Sequence, residues 1–285
     1  MSANYYCLVA GLRDYALDAD TKGFDARAII DDITGQLTDA DAASLRKLLL
    51  FNDVGNLLNY RAGRSSFSTI GNFSREQIEQ ESVRPELLPE PIAKVVEAYD
   101  NPDDTDLDSV DTSPKFETAL WTAYYAFAES DRCRFLRQWS SADRTLRNLT
   151  AALTARSKGL SAADVMVGSD DITAQIARSS AVDFGLKGEL PYLDSVIAAA
   201  ADNSDMLDKE HRIDVLRWNM AEELALFDYF NENTVLSYVV RISLVHRWAM
   251  LDAAKGRELF GRLVDSLSSA ERVREAEKRQ METNY

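Results

Sequence analysis

Ser113-Pro114-Lys115-Phe116-Glu117-Thr118-Ala119-Leu120-Trp121-Thr122-Ala123-Tyr124-Tyr125-Ala126-Phe127 decides the fold class of this chain. A serine that can cap a helix is followed by proline at the first helical position, where its missing N–H is no loss. Phe116, Leu120, Ala123, Tyr124 and Phe127 then recur three and four residues apart, which places them on one buried helical face. Trp121 joins them, and the spacing favours a core over an aromatic ligand pocket.

The same grammar runs in both directions. Downstream, a helix over about 142–158 ends at Gly159, Ser161 can cap a short turn, and Ser169-Asp170-Asp171 starts a helix that stops near Gly185. Further helices are predicted over 192–201 and over 209–230, the latter with Leu216, Met220, Leu224 and Phe227 in register. Another covers 235–254, followed by 257–267 and a charged helical tail from Ser268 to Tyr285. Upstream, Ile29, Ile30, Ile33 and Leu37 form a stripe over 25–37, and Thr38 or Asp39 caps a helix carrying Leu45, Leu48, Leu49, Leu57 and Leu58. Gly55 is a candidate break in that helix. Residues 61–73 read as a loop, Ser74-Arg75-Glu76-Gln77 as a capping box, and Pro85, Pro89 and Pro91 as the lead-in to a helix over 92–99. The segment Tyr5–Leu12 is apolar and short, with helix and strand both open. The chain is therefore expected to be all-α, many short-to-medium helices with short connections.

Composition agrees. The 285 residues hold only 12 glycines and 6 prolines, with 46% hydrophobic residues, and no run approaches the roughly 20 apolar residues of a membrane span. Cys7 and Cys133 are too few for a disulfide framework and read as buried thiols in a reducing compartment. A net charge of −15 argues against a nucleic-acid partner, since phosphate neutralisation needs clustered Lys and Arg.

Residues 100–113 contain six aspartates and little that is apolar. They divide the chain into an N-terminal helical part, 1–99, and a C-terminal helical part, 114–285, or form a long loop within one continuous domain. Alternate aspartates at Asp104, Asp106 and Asp108 suggest a metal loop, but the turn glycine is absent and Lys115 stands at the position of the bidentate glutamate. A solvated linker is favoured over a metal-dependent enzyme using Asp100–Asp111. Other catalytic signatures are missing. There is no phosphate-binding loop, dinucleotide fingerprint or serine elbow, and the two histidines are far apart: His211 is read as exposed and His246 as a core or rim residue. Glu222-Glu223 and Asp31-Asp32 are adjacent pairs that point to different sides of a helix, better suited to solvation than to acid–base work. No catalytic, cofactor-binding or metal-binding residues are assigned.

Asp143-Arg-Thr-Leu-Arg-Asn148 is echoed by Asp214-Val-Leu-Arg-Trp-Asn219 and, more loosely, by Asp53-Val-Gly-Asn56, which suggests related helical units along the chain. The first of these segments resembles the C-type (or d-type) coupling subunit of the V-type and A-type rotary ATPases. Asp143 opens it, and Asn148, Leu149, Arg156, Gly159, Ser161 and Asp164 follow in the family's order. Near the other end, Phe230, Val235, Leu236, Tyr238, Arg241, Arg247 and Leu251 resemble a late helix of that family. The opening Tyr5-Tyr6-Cys-Leu-Val-Ala-Gly-Leu-Arg13 is similar to its first segment, and closer still to an uncharacterised bacterial family associated with V-type ATPase gene clusters. Gly11 and Asp14 depart from the pattern, as do Arg241 and Arg247, which surround the place of a usual glutamate.

The resemblance implies a funnel of short helices built from related three-helix units. It implies a protein without an active site, seated on the cytoplasmic face of the membrane rotor ring through protein contacts alone, with the end of the central stalk in its cavity. Asp143, Asn148, Arg156, Gly159, Tyr238 and Arg241 become structural or interface residues, no cofactor is needed, and the partners are the central-stalk proteins and the ring. An assembly or regulatory adaptor of the same complex is the alternative within that class. The acidic balance of the chain suits a negative cavity holding a basic stalk end.

Overall fold

The computed structural model describes residues 4–17, 23–100, 113–201 and 205–251. The interior of the aspartate-rich run, with the metal reading attached to it, and the helices predicted beyond residue 251 lie outside the described residues. Within them the fold is all-α, with no strand. The helices are α1 (Tyr6–Gly11), α2 (Ala26–Gln36), α3 (Asp39–Arg61), α4 (Arg75–Glu81), α5 (Glu90–Asp100), α6 (Ser113–Glu129), α7 (Arg134–Ser157), α8 (Asp171–Arg178), α9 (Leu193–Ala201), α10 (Met206–Leu224) and α11 (232–251), with a 3-10 turn at Ala163–Val165 before α8.

Thr38 and Ser74 cap where the sequence places caps, and Asp25 and Asp170 cap the helices read as starting beside them. Ser113, expected as a cap, is instead the first residue of α6, and the 3-10 turn follows Ala162 with no side-chain cap from Ser161. Asp25 accepts from the N–H of Ala28, Thr38 from Asp41, Ser74 from Gln77 in a full capping box, and Asp170 from Thr173. The segment Tyr5–Leu12 settles as helix. At the end of α7, Gly159 takes φ +70°, its N–H reaching the Arg156 carbonyl while that of Leu160 reaches Ala155. That pair of bonds stops the helix in a left-handed turn open to glycine.

Several expectations are corrected. α7 begins at Arg134, one residue after Cys133, whose side chain makes no cap bond, so no capping signal marks the start. α8 stops at Arg178, well short of Gly185, and α10 stops at Leu224. Phe227, in register on paper, lies in the following turn and is 86% exposed. Gly55 does not interrupt α3, and Cys7 is exposed while only Cys133 is buried.

α7 is the central strut, packed against α6, α8, α9 and α10, while α6 also packs on α3 and α5. One core runs through all of them, from Leu45, Val54 and Leu57 through Tyr125, Phe135, Leu146 and Leu149 to Val235, Leu236 and Val239. It therefore joins residues on both sides of the aspartate-rich run. Trp121, Tyr124 and Tyr125 are buried in it, and Phe127 is half-buried.

Two long helices repeat one device. Asn56 of α3 donates to the Ser68 carbonyl (2.9 Å) and accepts from the Ser68 N–H (2.7 Å). Asn148 of α7 treats Val167 in the same way, at 2.8 and 2.9 Å. Each amide clamps the loop that leads to the next capped helix, so the Asp/Asn echo marks related α3–α4 and α7–α8 units. Asn219, the third member of the echo, is exposed.

Asp53 completes the first unit. It is wholly buried and accepts from the N–H groups of Asn72 (2.9 Å) and Phe73 (3.2 Å). Burial pushes its carboxyl up to about 6 against the pull of those bonds. Gly71 lies against it: a β-carbon there would fall well inside contact with Oδ1 and 3.0 Å from Cγ. Gly71→Ala is expected to cost about 1–3 kcal/mol, as overpacking does. Gly55→Ala, with open space around the glycine, is expected to be neutral or to stabilise by up to about 1 kcal/mol. Urea midpoints at unchanged slope measure both, and equal midpoints would remove the contact argument.

Candidate functional site

Helices α3, α6, α7, α9, α10 and α11 and the 65–69 loop surround a cleft of about 1440 Å³. Its deepest chemistry is a chain of ion pairs. Tyr125 of α6 donates to Asp143 Oδ2 (2.6 Å), and Arg217 of α10 donates from Nε to Asp143 Oδ1 (2.7 Å) and from Nη1 to Asp214 Oδ1 (2.9 Å). Asp214 also receives Arg247 and the indole N–H of Trp248 (2.9 Å), both from α11, and Arg247 reaches on to Glu210. Asp143 and Asp214 are buried, at 3% and 0% exposure. The network thus ties four helices together.

Its electrostatics are those of a closed circuit. Burial works against the Arg217 cation, and the two carboxylates outweigh it and raise its pKa. Burial, reinforced by Asp143, drives the Tyr125 hydroxyl well above the phenol range. Neither group is poised to exchange a proton near neutrality. His246, also in the cleft wall, is half-buried; burial lowers its pKa, and its Nε2 has no hydrogen-bond partner among the described residues. His211 is half-buried against Trp248 instead of exposed.

A second buried cation, Arg144, follows Asp143 on α7. Arg144 binds Glu129 through Nε (2.7 Å) and Asp170 through Nη1 (2.8 Å), fixing the cap of α8. Burial acts to raise the Asp170 carboxyl, but the bonds from Arg144 and Thr173 prevail and hold it at about 2.

Of the six residues assigned from sequence as structural or interface positions, Asp143 alone lines the cleft. Asn148 clamps Val167, and Gly159 ends α7. Arg156 lies 3.9 Å over the Phe184 ring and donates to the carbonyls of Ser179 and Ala181. Tyr238 donates to the Arg13 carbonyl (2.9 Å), which fastens the N-terminal segment to α11, and burial raises its hydroxyl to about 12. Arg241 pairs with Glu222 (3.1 Å). These five hold joints of the fold and do not converge on a site.

Sequence reasoning assigned no role to Arg217 or Arg147, though both lie inside the echoed segments, nor to Trp248; Arg147 rests 4.2 Å over the Trp121 ring while paired with Glu117. Asp214 and Arg247 stand out in the sequence as an echo and a departure, but nothing there marks them as partners of each other.

Among its described residues the cleft wall is not net negative. It carries Arg75, Arg147, Lys158, Lys209, Arg217 and Arg247 against Glu117, Asp143, Asp164, Glu210 and Asp214, six cations to five carboxylates. The described part of this surface does not carry the acidic excess expected from the charge of the whole chain. Among the described residues no cluster of three or more His, Cys, Asp or Glu side chains is placed to hold a metal ion. Nor is any helix there long and apolar enough to cross a membrane.

A family model described as "Protein of unknown function (DUF2764)" matches residues 1–271. No curated protein matches the chain. The chain belongs to the family described by that model.

Proposed function

We propose that this family member is a non-catalytic coupling subunit of a V-type rotary ATPase, linking the central stalk to the membrane rotor ring at its cytoplasmic face. The cleft carries the reading. A cylinder 10 Å across rising 1.5 Å per residue fills about 1440 Å³ in about 12 residues, so the cleft has room for the end of one partner helix. Its buried charges are spent on one another among the described residues, which suits a rigid socket. The likeness of the Asp143–Asp164 and Phe230–Leu251 segments to the coupling subunit of rotary ATPases supports the same reading.

The test is an affinity pull-down of the full chain from gently solubilised native membranes, with everything retained identified. Stalk and ring proteins recovered in fixed ratio are the expected result, and the contact weakens as salt rises if charge contributes to it. Recovery from assembling complexes alone indicates an assembly adaptor. Recovery of the protein by itself overturns the proposal.

A further inference from the structure

The acids of the cleft wall are largely consumed within it. Glu117 is taken by Arg147, Asp143 by Arg217, Asp214 by Arg217 and Arg247, and Glu210 by Arg247. Three cations of the same wall make no ion pair among the described residues: Lys158 and Arg75 are exposed and Lys209 is half-exposed, and Arg75, whose charge also acts on the neighbouring Glu76, is bonded to the Ser65 carbonyl beside its contact with the Phe67 ring. Asp164 is the single described wall carboxylate outside the pairs. Phe51, Ile213 and Leu244 supply apolar surface in that wall.

We propose that the cleft takes the acidic, amphipathic end of a partner helix, its carboxylates received by Arg75, Lys158 and Lys209 and its apolar side by Phe51, Ile213 and Leu244. This rests on the reading of the cleft as a docking socket and reverses the charge expected of its occupant. The chain's net −15 does not forbid it. Screening confines each contact to about 8 Å at physiological salt, so a short acidic end feels the local cations. A long polyanion such as a nucleic acid extends past them onto the acidic surface and is repelled.

The test uses the full chain and two labelled peptides of about 15 residues, one of Glu, Leu and Ala and its counterpart with Lys for Glu, long enough to hold a helix on binding. Fluorescence anisotropy is expected to show binding of the Glu peptide, weakened about tenfold or more in the R75E/K158E/K209E variant, as three reversed exposed contacts imply. The Lys peptide can adhere elsewhere on an acidic protein, so it is scored by competition and is expected not to displace the Glu peptide. The three side chains are solvent-accessible, and helical circular dichroism checks that the variant folds. Should it not, Lys158→Gln and Lys209→Gln are each expected to weaken the Glu peptide at least about twofold.

A Glu peptide that fails to bind or ignores these substitutions overturns the proposal, as does displacement by the Lys peptide or by an oligonucleotide. The pull-down separates the two readings. Stalk and ring proteins retained equally by the charge-reversed variant sink the acidic occupant and leave the coupling role standing. Peptide binding of the expected pattern without those proteins sinks the coupling role alone.

Discussion

Leu149→Asp and Val239→Asp are each expected to unfold the protein. Both side chains have 0% exposure, Leu149 on the strut α7 and Val239 on α11, and both belong to the core shared by the whole fold. A carboxylate placed in this apolar core loses its water, a change whose cost exceeds about 4 kcal/mol. Domains of this kind hold only about 5–15 kcal/mol in total. The expected result is loss of cooperative thermal unfolding and early, broad elution on gel filtration. Phe227→Asp, at a side chain 86% exposed, is the matched control and should shift stability by no more than about 0.5 kcal/mol. A folded Leu149→Asp protein that has lost only its partner would move that position from core to interface.

The contrast between Leu149 and Phe227 also marks what can be read from the sequence. Structure decided within one or two turns is legible: caps at Asp25, Thr38, Ser74 and Asp170 lie within three residues of the N–H groups they bind. The Gly159 stop has the same local origin. Where a helix starts without a side-chain cap, as at Cys133, nothing local announces it. Periodicity alone carries α10 too far, because Leu224 and Phe227 are three residues apart whether or not the chain stays helical. The chain turns at Ala225 and leaves Leu226, Phe227 and Tyr229 outside.

The cleft is less legible for a physical reason. Its partners are 74 residues apart in Asp143–Arg217 and 33 in Asp214–Arg247. A charged residue on a helix reads as solvated unless its partner is known, and in a single sequence no local pattern couples two such positions. Total charge is a poor guide in the same way: −15 describes the chain as a whole, while the described residues of the cleft wall hold six cations to five carboxylates. The Asp/Asn echoes are visible, but only folding shows that the shared working part is the asparagine clamp of α3 and α7.

Arg217→Met tests the centre of that network, and the expected loss is about 3–5 kcal/mol at neutral pH, the cost of stranding a buried charge. Arg217 is the only cation bonded to Asp143 among the described contacts, so its removal leaves that carboxylate with the Tyr125 hydroxyl alone. Asp214 keeps Arg247 and Trp248, which makes Asp143 the source of most of the loss. The sign of the pH effect follows. An unpaired buried carboxyl has a folded-state pKa above its unfolded value of about 3.9, so its protonated form favours folding as pH falls, and the deficit grows as pH rises through the folded pKa. The gap in urea midpoint between variant and parent should therefore narrow from pH 7.5 toward about pH 5. Asp143→Asn combined with Arg217→Met removes the stranded charge and should recover a large part of the loss, with the pH dependence gone. If the gap is the same at both pH values and the second substitution recovers nothing, the cost lies in the lost packing of the arginine stem, and the network is not what holds α7, α10 and α11 together.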